Sequence, residues 1–232
     1  MRSPNLTRRT CLKVLLGTSA MAGMVGLAAC APSEKDAAES EAAKNGETPA
    51  DRSSADITAA SPDDPYATGV HHATIEVQDY GTIEVSLNAN AAPITVSNFC
   101  NLAKSRFYDG LTFHRVIKGF MIQGGDPNGD GTGGSDDTIL GEFSSNGVEN
   151  SIPHVRGTIS MARANDPDSA SSQFFIMQEE NSSLDGQYAA FGSVTSGMDV
   201  VDAICENVPV QDSNGTVAPE NQPVITSIKV VD

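Results

Sequence analysis

The 232-residue chain has no tryptophan, four cysteines, and only 14 lysines and arginines against 30 aspartates and glutamates. Each shortage closes off a class of function. Nucleic-acid binding needs clustered basic side chains to neutralise phosphates, and a net charge of −16 argues against it. There is no Cys-x-x-Cys pair and no zinc-ligand spacing, which excludes a structural zinc site. His71, His72 and His154 likewise lack metal-ligand partners at useful spacing. No apolar run reaches the roughly 20 residues of a comfortable membrane span. Helical periodicity is rare, and period-two alternation is frequent.

The ends of the chain carry their own signals. Arg2, Arg8, Arg9 and Lys13 make a basic start with no acids, and an apolar, glycine-containing run from Val14 to Ala29 follows. That is the pattern of an export signal rather than of a fold. Thr7-Arg8-Arg9-Thr10-Cys11-Leu12-Lys13 resembles a twin-arginine signal, with Cys11 where a large apolar residue is usual. Leu27-Ala28-Ala29-Cys30 resembles a bacterial lipobox, in which the cysteine thiol receives a diacylglycerol. Residues 1–29 are therefore expected to be a signal peptide, and Cys30 the lipidated N-terminus of an exported protein. Its place would be the outer face of the bacterial cytoplasmic membrane, with membrane contact only through the lipid. Residues 31–68 hold 3 basic and 9 acidic side chains, with Ile57 and Tyr66 as their large apolar residues. Such a stretch buries too little to offset ordering entropy, so 30–68 reads as a lipidated cysteine followed by a disordered acidic linker.

Residues 69–232 make one domain of ordinary size, with 7 basic and 21 acidic side chains. The acidity reads as solubility. Cys100 and Cys205 are expected as partly buried free thiols. Ala73–Val77 and Thr82–Leu87 alternate around the turn Asp79-Tyr80-Gly81, predicting a hairpin. A helix is predicted over 93–104, with Pro93 at its start and Val96, Phe99, Cys100 and Ala103 as its apolar stripe. Strands are predicted at 111–117, 119–123, 157–163, 173–178, 189–194 and 224–230, and a second helix at 197–206. Many short strands with two helices point to an antiparallel barrel or sandwich.

The most informative stretch runs from Phe113-His114-Arg115 through Phe120-Met121-Ile122-Gln123 to Gly124-Gly125-Asp126. It sets one arginine and one glutamine among large apolar residues. A guanidinium is always charged, and taking it partly out of water is costly unless something binds it. The pattern points to a site that grips a polar group on an otherwise apolar ligand.

Seven blocks in order make the domain resemble a cyclophilin-type peptidyl-prolyl cis-trans isomerase. They are Ala92–Phe99, Phe107–Asp126, Gly131–Gly134, Gly157–Ala162, Ser172–Ile176, Leu184–Gly186 and Phe191-Gly192. The resemblance implies a mainly β fold, an eight-stranded antiparallel barrel capped by two α-helices. It implies an enzyme that rotates X–Pro peptide bonds and helps exported proteins fold, with no cofactor and no metal. Arg115 falls at the family's catalytic position. Phe120, Met121, Phe175 and Leu184 fall at its proline-pocket positions, and Gln123 and Gln173 at its hydrogen-bonding positions. Ala162 and Arg163 match the edge along which substrate backbone lies, Gly131 a rim position beside it, and Tyr188 an aromatic wall. The expected partners are proline-containing peptides and unfolded exported proteins, and the expected state is a monomer. Phe120 and Met121 are consecutive, so both line one groove only if the backbone bends there.

Two positions depart from the family pattern. Ser183 stands where tryptophan is frequent and Tyr188 where histidine is frequent, so weak binding of cyclosporin-like ligands is expected. His114 is expected as a hydrogen-bonded structural histidine, since bond rotation needs no acid or base. Asp126–Gly131 matches the first half of a calcium loop, but a strand rather than a helix is predicted before it, so a turn is expected there. A binding module of the same fold, gripping proline segments without catalysis, is the alternative reading.

Overall fold

Alternating side chains become strands here wherever one face finds a core to cover it. The computed structural model describes residues 57–58 and 63–232. In chain order the elements are β1 (Ile57–Thr58), β2 (Val70–Val77), β3 (Gly81–Asn88), α1 (Pro93–Lys104), β4 (Thr112–Ile117), β5 (Met121–Asp126) and β6 (Thr138–Ile139). They continue with β7 (Thr158–Met161), β8 (Phe174–Met177), β9 (Ala190–Ser196), α2 (Met198–Asn207) and β10 (Ile225–Val230). β2 buries Ala73, Ile75 and Val77, and β3 buries Ile83, Val85 and Leu87. Their polar neighbours face outward.

Eight strands form one antiparallel sheet in the order β10-β2-β3-β9-β7-β8-β5-β4. The sheet curls, and its two edge strands meet at one end. Thr112 bridges Val224 there, and the amides of Gly110 and Phe113 donate to the carbonyls of Ile225 and Pro223. The rest of the β4 edge is covered by residues 215–217. Val116 N donates to Gly215 O at 2.8 Å, and Val217 N to His114 O at 2.9 Å. Among the described residues this covers the β4 edge, so it offers no long row of free groups for another strand. β1 and β6 pair in parallel as a separate two-residue ladder, too short to leave a periodic signal.

Inside the curl the core is aromatic. Phe99, Tyr108, Phe113, Phe174 and Phe191 are fully buried, and Phe99 meets Phe174 edge-on at 5.4 Å. Cys100 of α1 and Cys205 of α2 are buried free thiols, and desolvation pushes each up to about 12.

The domain begins earlier than residue 69. Asp64 accepts from Ser97 and Asn101 of α1, Tyr66 packs on the core, and Ala67 is buried. A single carboxylate serving a helix 33 residues further on has no local sequence signature. The expected signal peptide, Cys30 and most of the expected linker lie outside the described residues.

Helix α1 has no cap of its own. Ala92 precedes it and offers no side-chain acceptor. Buried Glu142 takes that role, accepting from Ile94 N at 3.0 Å, Thr95 N at 2.8 Å and Thr95 Oγ1 at 2.7 Å. Burial raises the Glu142 pKa, while the donors from Thr95 and Ile94 oppose the rise. Replacing Glu142 by Ala leaves these helix-end donors unsatisfied. The expected cost is about 1–3 kcal/mol in urea unfolding, and a loss under about 0.5 kcal/mol would contradict this role.

Candidate active site

Alternation divides β5 and β8 between two clusters. Ile122, Phe174 and Ile176 join the main core, while Met121, Phe175 and Met177 build a second one on the opposite face. The register sets Met121 against Met177 and Gln123 against Phe175. Leu184 completes the buried part, and Ile117, Phe120, Ala162 and Tyr188 pack around it.

A β-bulge delivers Arg115 to this face. The ladder between β4 and β5 slips between Phe113 and Arg115. In a regular strand those two residues would share a side. With His114 as the extra residue, Phe113 enters the core and Arg115 faces its ladder partner Gln123. Phe120 reaches the cluster by another route. It closes the Lys118–Phe120 turn, where Gly119 takes φ +78°, so strand alternation binds only Met121.

Hydrogen bonds hold the Arg115 guanidinium from two sides. Nε donates to Asn214 O at 2.8 Å, and Nη2 to Asn214 Oδ1 at 3.2 Å. Nη1 donates to Gln123 Oε1 at 3.1 Å. Gln123 Nε2 then donates to Gln173 Oε1 at 2.9 Å, and Gln173 Nε2 to the carbonyls of Gly131 and Gly133 at 3.1 and 2.7 Å. The turn carrying Asn214 lies close to β4 because Gly215 has φ +83° and no Cβ. A Cβ there would fall 2.4 Å from Val116 O.

The Gly131 loop hangs on Asp126. Its carboxylate accepts from the amides of Asn128, Asp130 and Gly131 at 2.8, 3.2 and 2.6 Å. This is turn geometry, with both oxygens committed to the backbone.

The apolar walls are fixed from behind. His154 stacks on Phe175 at 6.0 Å, with Nδ1 3.0 Å from Asp185 Oδ1 and Nε2 3.0 Å from Ser160 Oγ. Tyr188 meets Phe175 edge-on at 5.8 Å. The Arg163 guanidinium lies over Tyr188 at 4.8 Å and Phe143 at 5.2 Å, and donates to Gln187 O. Ala162 N donates to Gln173 O at 3.0 Å, joining the apolar and polar halves. Ser183 donates to Asn181 Oδ1 at 2.6 Å and places no aromatic ring at its rim.

Arg115, Phe120, Met121, Gln123, Gly131, Ala162, Arg163, Gln173, Phe175, Leu184 and Tyr188 are thus joined in one connected set of packing contacts and hydrogen bonds. Cys30 lies outside the described residues. Asn214, His154, Ile117 and Met177 belong to the same surroundings and escaped the sequence reading. Asn214-Gly215 is legible as a turn, but nothing local places that turn against Arg115. One expectation is corrected. His114 is buried beside Gly131, yet neither ring nitrogen has a hydrogen-bond partner among the described residues.

A curled eight-stranded sheet with a fixed arginine beside an apolar groove defines the class of cyclophilin-fold proteins. The family model for "Cyclophilin type peptidyl-prolyl cis-trans isomerase" matches residues 72–230, and the chain belongs to that family. It is 40% identical over 185 residues to peptidyl-prolyl cis-trans isomerase A of Dickeya dadantii, covering 75% of this chain and 92% of that relative. It is 49% identical over 125 residues to peptidyl-prolyl cis-trans isomerase B of Bacillus subtilis, covering 53% and 82%. A crystal structure of a Cryptosporidium parvum cyclophilin superposes with a TM-score of 0.62 at 30% identity, over 71% of this chain and 99% of that one. A second structure of that protein, in the presence of the dipeptide Ala-Pro, gives 0.61 at 31% identity, over 69% and 99%.

The buried histidines set a pH dependence. Burial holds both His114 and His154 below the ordinary imidazole value of 6.5, with Asp126 and Asp185 respectively opposing the shift. Depressed histidines favour the fold in their neutral form. Their contribution is complete above pH 6.5 and is lost as pH falls below it toward the folded-state values. The urea midpoint should therefore drop below pH 6.5. His114→Phe should keep stability at pH 7.5 within about 1 kcal/mol, since no hydrogen bond is lost, and should make the drop shallower. A midpoint unchanged from pH 7.5 to pH 5 would contradict this.

Proposed function

We propose that this groove catalyses X–Pro rotation by holding the proline ring in the apolar cluster while Arg115 donates to the amide nitrogen. The observation that carries the reading is the doubly anchored guanidinium at the edge of a buried apolar cluster. Peptide-bond resonance sets a barrier of about 18–20 kcal/mol. Twisting the bond removes that resonance, and the nitrogen becomes pyramidal and basic enough to accept a hydrogen bond. A donor aimed at that nitrogen therefore binds the twisted state better than either planar isomer. Rotation makes and breaks no covalent bond, so no nucleophile or proton carrier is required.

In this reading Phe120, Met121, Phe175 and Leu184 enclose the ring, and Gln123 and Gln173 orient the neighbouring carbonyls. Ala162, Arg163, Gly131 and Tyr188 form the edge along which the peptide lies. The Cryptosporidium relative was crystallised in the presence of Ala-Pro, which supports proline-containing peptides as ligands. The proposed partners are unfolded exported proteins bearing X–Pro bonds. Arg115→Ala should cut catalysed exchange between cis and trans signals of an Ala-Pro peptide by about 100-fold or more, measured by NMR on the full chain. Peptide-induced shifts should survive. Full exchange in that variant would remove Arg115 from the mechanism.

The cellular placement rests on the sequence alone. The basic start, the apolar run to Ala29 and the lipobox-like Leu27–Cys30 support export and lipid anchoring at Cys30 on the outer face of the bacterial cytoplasmic membrane. Cys30→Ser should shift the protein from the membrane to the soluble fraction and abolish incorporation of a labelled fatty acid. Unchanged labelling would contradict the assignment.

A further inference from the structure

We propose that Gln178, locked by Asp202 and Arg156, is the positioning residue for the Phe120 wall of the groove. The inference rests on the groove being the isomerase site. The Lys118–Phe120 turn lies beyond the last β5–β8 register pair, Met121 with Met177. The β4–β5 hairpin closes it, through Ile117 paired with Met121 and Phe120 N donating to Ile117 O at 3.0 Å, and the chain just after β8 takes up its remaining polar groups. Gln178 N and Glu179 N donate to Phe120 O at 2.7 and 3.3 Å. The side-chain Oε1 of Gln178 accepts from Gly119 N at 2.6 Å. One residue therefore holds both a carbonyl and an amide of the turn.

The amide of Gln178 is itself held in one orientation. Nε2 donates to Asp202 Oδ1 of α2 at 3.2 Å. Arg156 donates to both oxygens of that carboxylate, at 2.9 and 2.6 Å. Arg156 Nη1 also donates to Gln178 O at 2.8 Å, so the bonds close into a cycle. Inverting the Gln178 amide would set its NH2 against Gly119 N–H and its oxygen against the Asp202 carboxylate. The cycle lines an open cleft of about 480 Å³ beside α2. Gln178 is buried, while the Arg156 and Asp202 side chains are about 40% exposed.

The cycle touches the turn and not Arg115, which is held by Asn214 and Gln123. Loosening the turn displaces Phe120 and weakens the grip on the proline ring, while the guanidinium stays in place. The signature of a positioning role is therefore weaker peptide binding with an unchanged rate of rotation on the enzyme.

The test uses the full chain and a short peptide with one Ala-Pro bond. Titration gives Kd, and NMR exchange gives the on-enzyme rotation rate. Gln178→Met keeps the volume and removes both polar atoms. It should raise Kd about tenfold with the rotation rate within about twofold of the parent protein. Asp202→Asn, at a half-exposed position, should move Kd the same way by less, and it decides alone if Gln178→Met does not fold. The double variant should bind no worse than Gln178→Met, because both changes open the same cycle. Unchanged Kd in these variants, or a slowed rotation with Kd intact, overturns the proposal while leaving the isomerase reading standing. A parent protein that binds the peptide without accelerating exchange overturns both.

Discussion

A guanidinium beside an apolar groove helps catalysis only if its direction is fixed before the ligand arrives. The rest of the site depends on that constraint. Arg115 uses all three of its nitrogens on Asn214 and Gln123, so the proposed mechanism needs little reorganisation as the bond turns. The hold has several distant supports. The bulge at His114 chooses the face, and the Gly215 turn brings Asn214 against β4. The β5–β8 register places Gln123 next to Phe175.

The same strands serve two environments, which lets a small domain carry both a core and a site. Outer residues of β5 and β8 build the groove while their neighbours fill the aromatic interior. The segments linking strands are then tied down by buried polar side chains. Asp126 organises the loop that bears Gly131, Glu142 closes the start of α1, and Gln178 grips the turn that bears Phe120. Asp126 accepts from three backbone amides that the secondary structure leaves unpaired, Glu142 from two, and the Gln178 side chain from one.

Much of this was legible in the sequence, and the reason differs by feature. The β2–β3 hairpin alternates cleanly because one face is exposed, while a bulge between Ile225 and Ser227 breaks the alternation of β10. Helix α1 shows its start through Pro93 and its stripe through Val96, Phe99, Cys100 and Ala103. The groove residues were legible through ordered family blocks, not through periodicity. Sequence spacing set Phe120 and Met121 on opposite faces, and only the turn at Gly119 removes the conflict. Asn214, Glu142 and Asp64 stayed hidden because each acts on backbone or side chains tens of residues away. The bare imidazole of His114 was unreadable for a related reason: a bulge reverses the facing of one residue without marking its identity.

In the proposed mechanism the oriented fork of Arg115, and not charge alone, drives rotation. The direct test is the on-enzyme exchange rate of a bound Ala-Pro peptide in Arg115→Lys. Lysine keeps the charge but lacks the planar fork that Asn214 and Gln123 hold. Peptide binding should persist while exchange falls at least about tenfold. Exchange at the parent rate would show that a nearby positive charge suffices, and that the anchoring of Arg115 is not the source of catalysis.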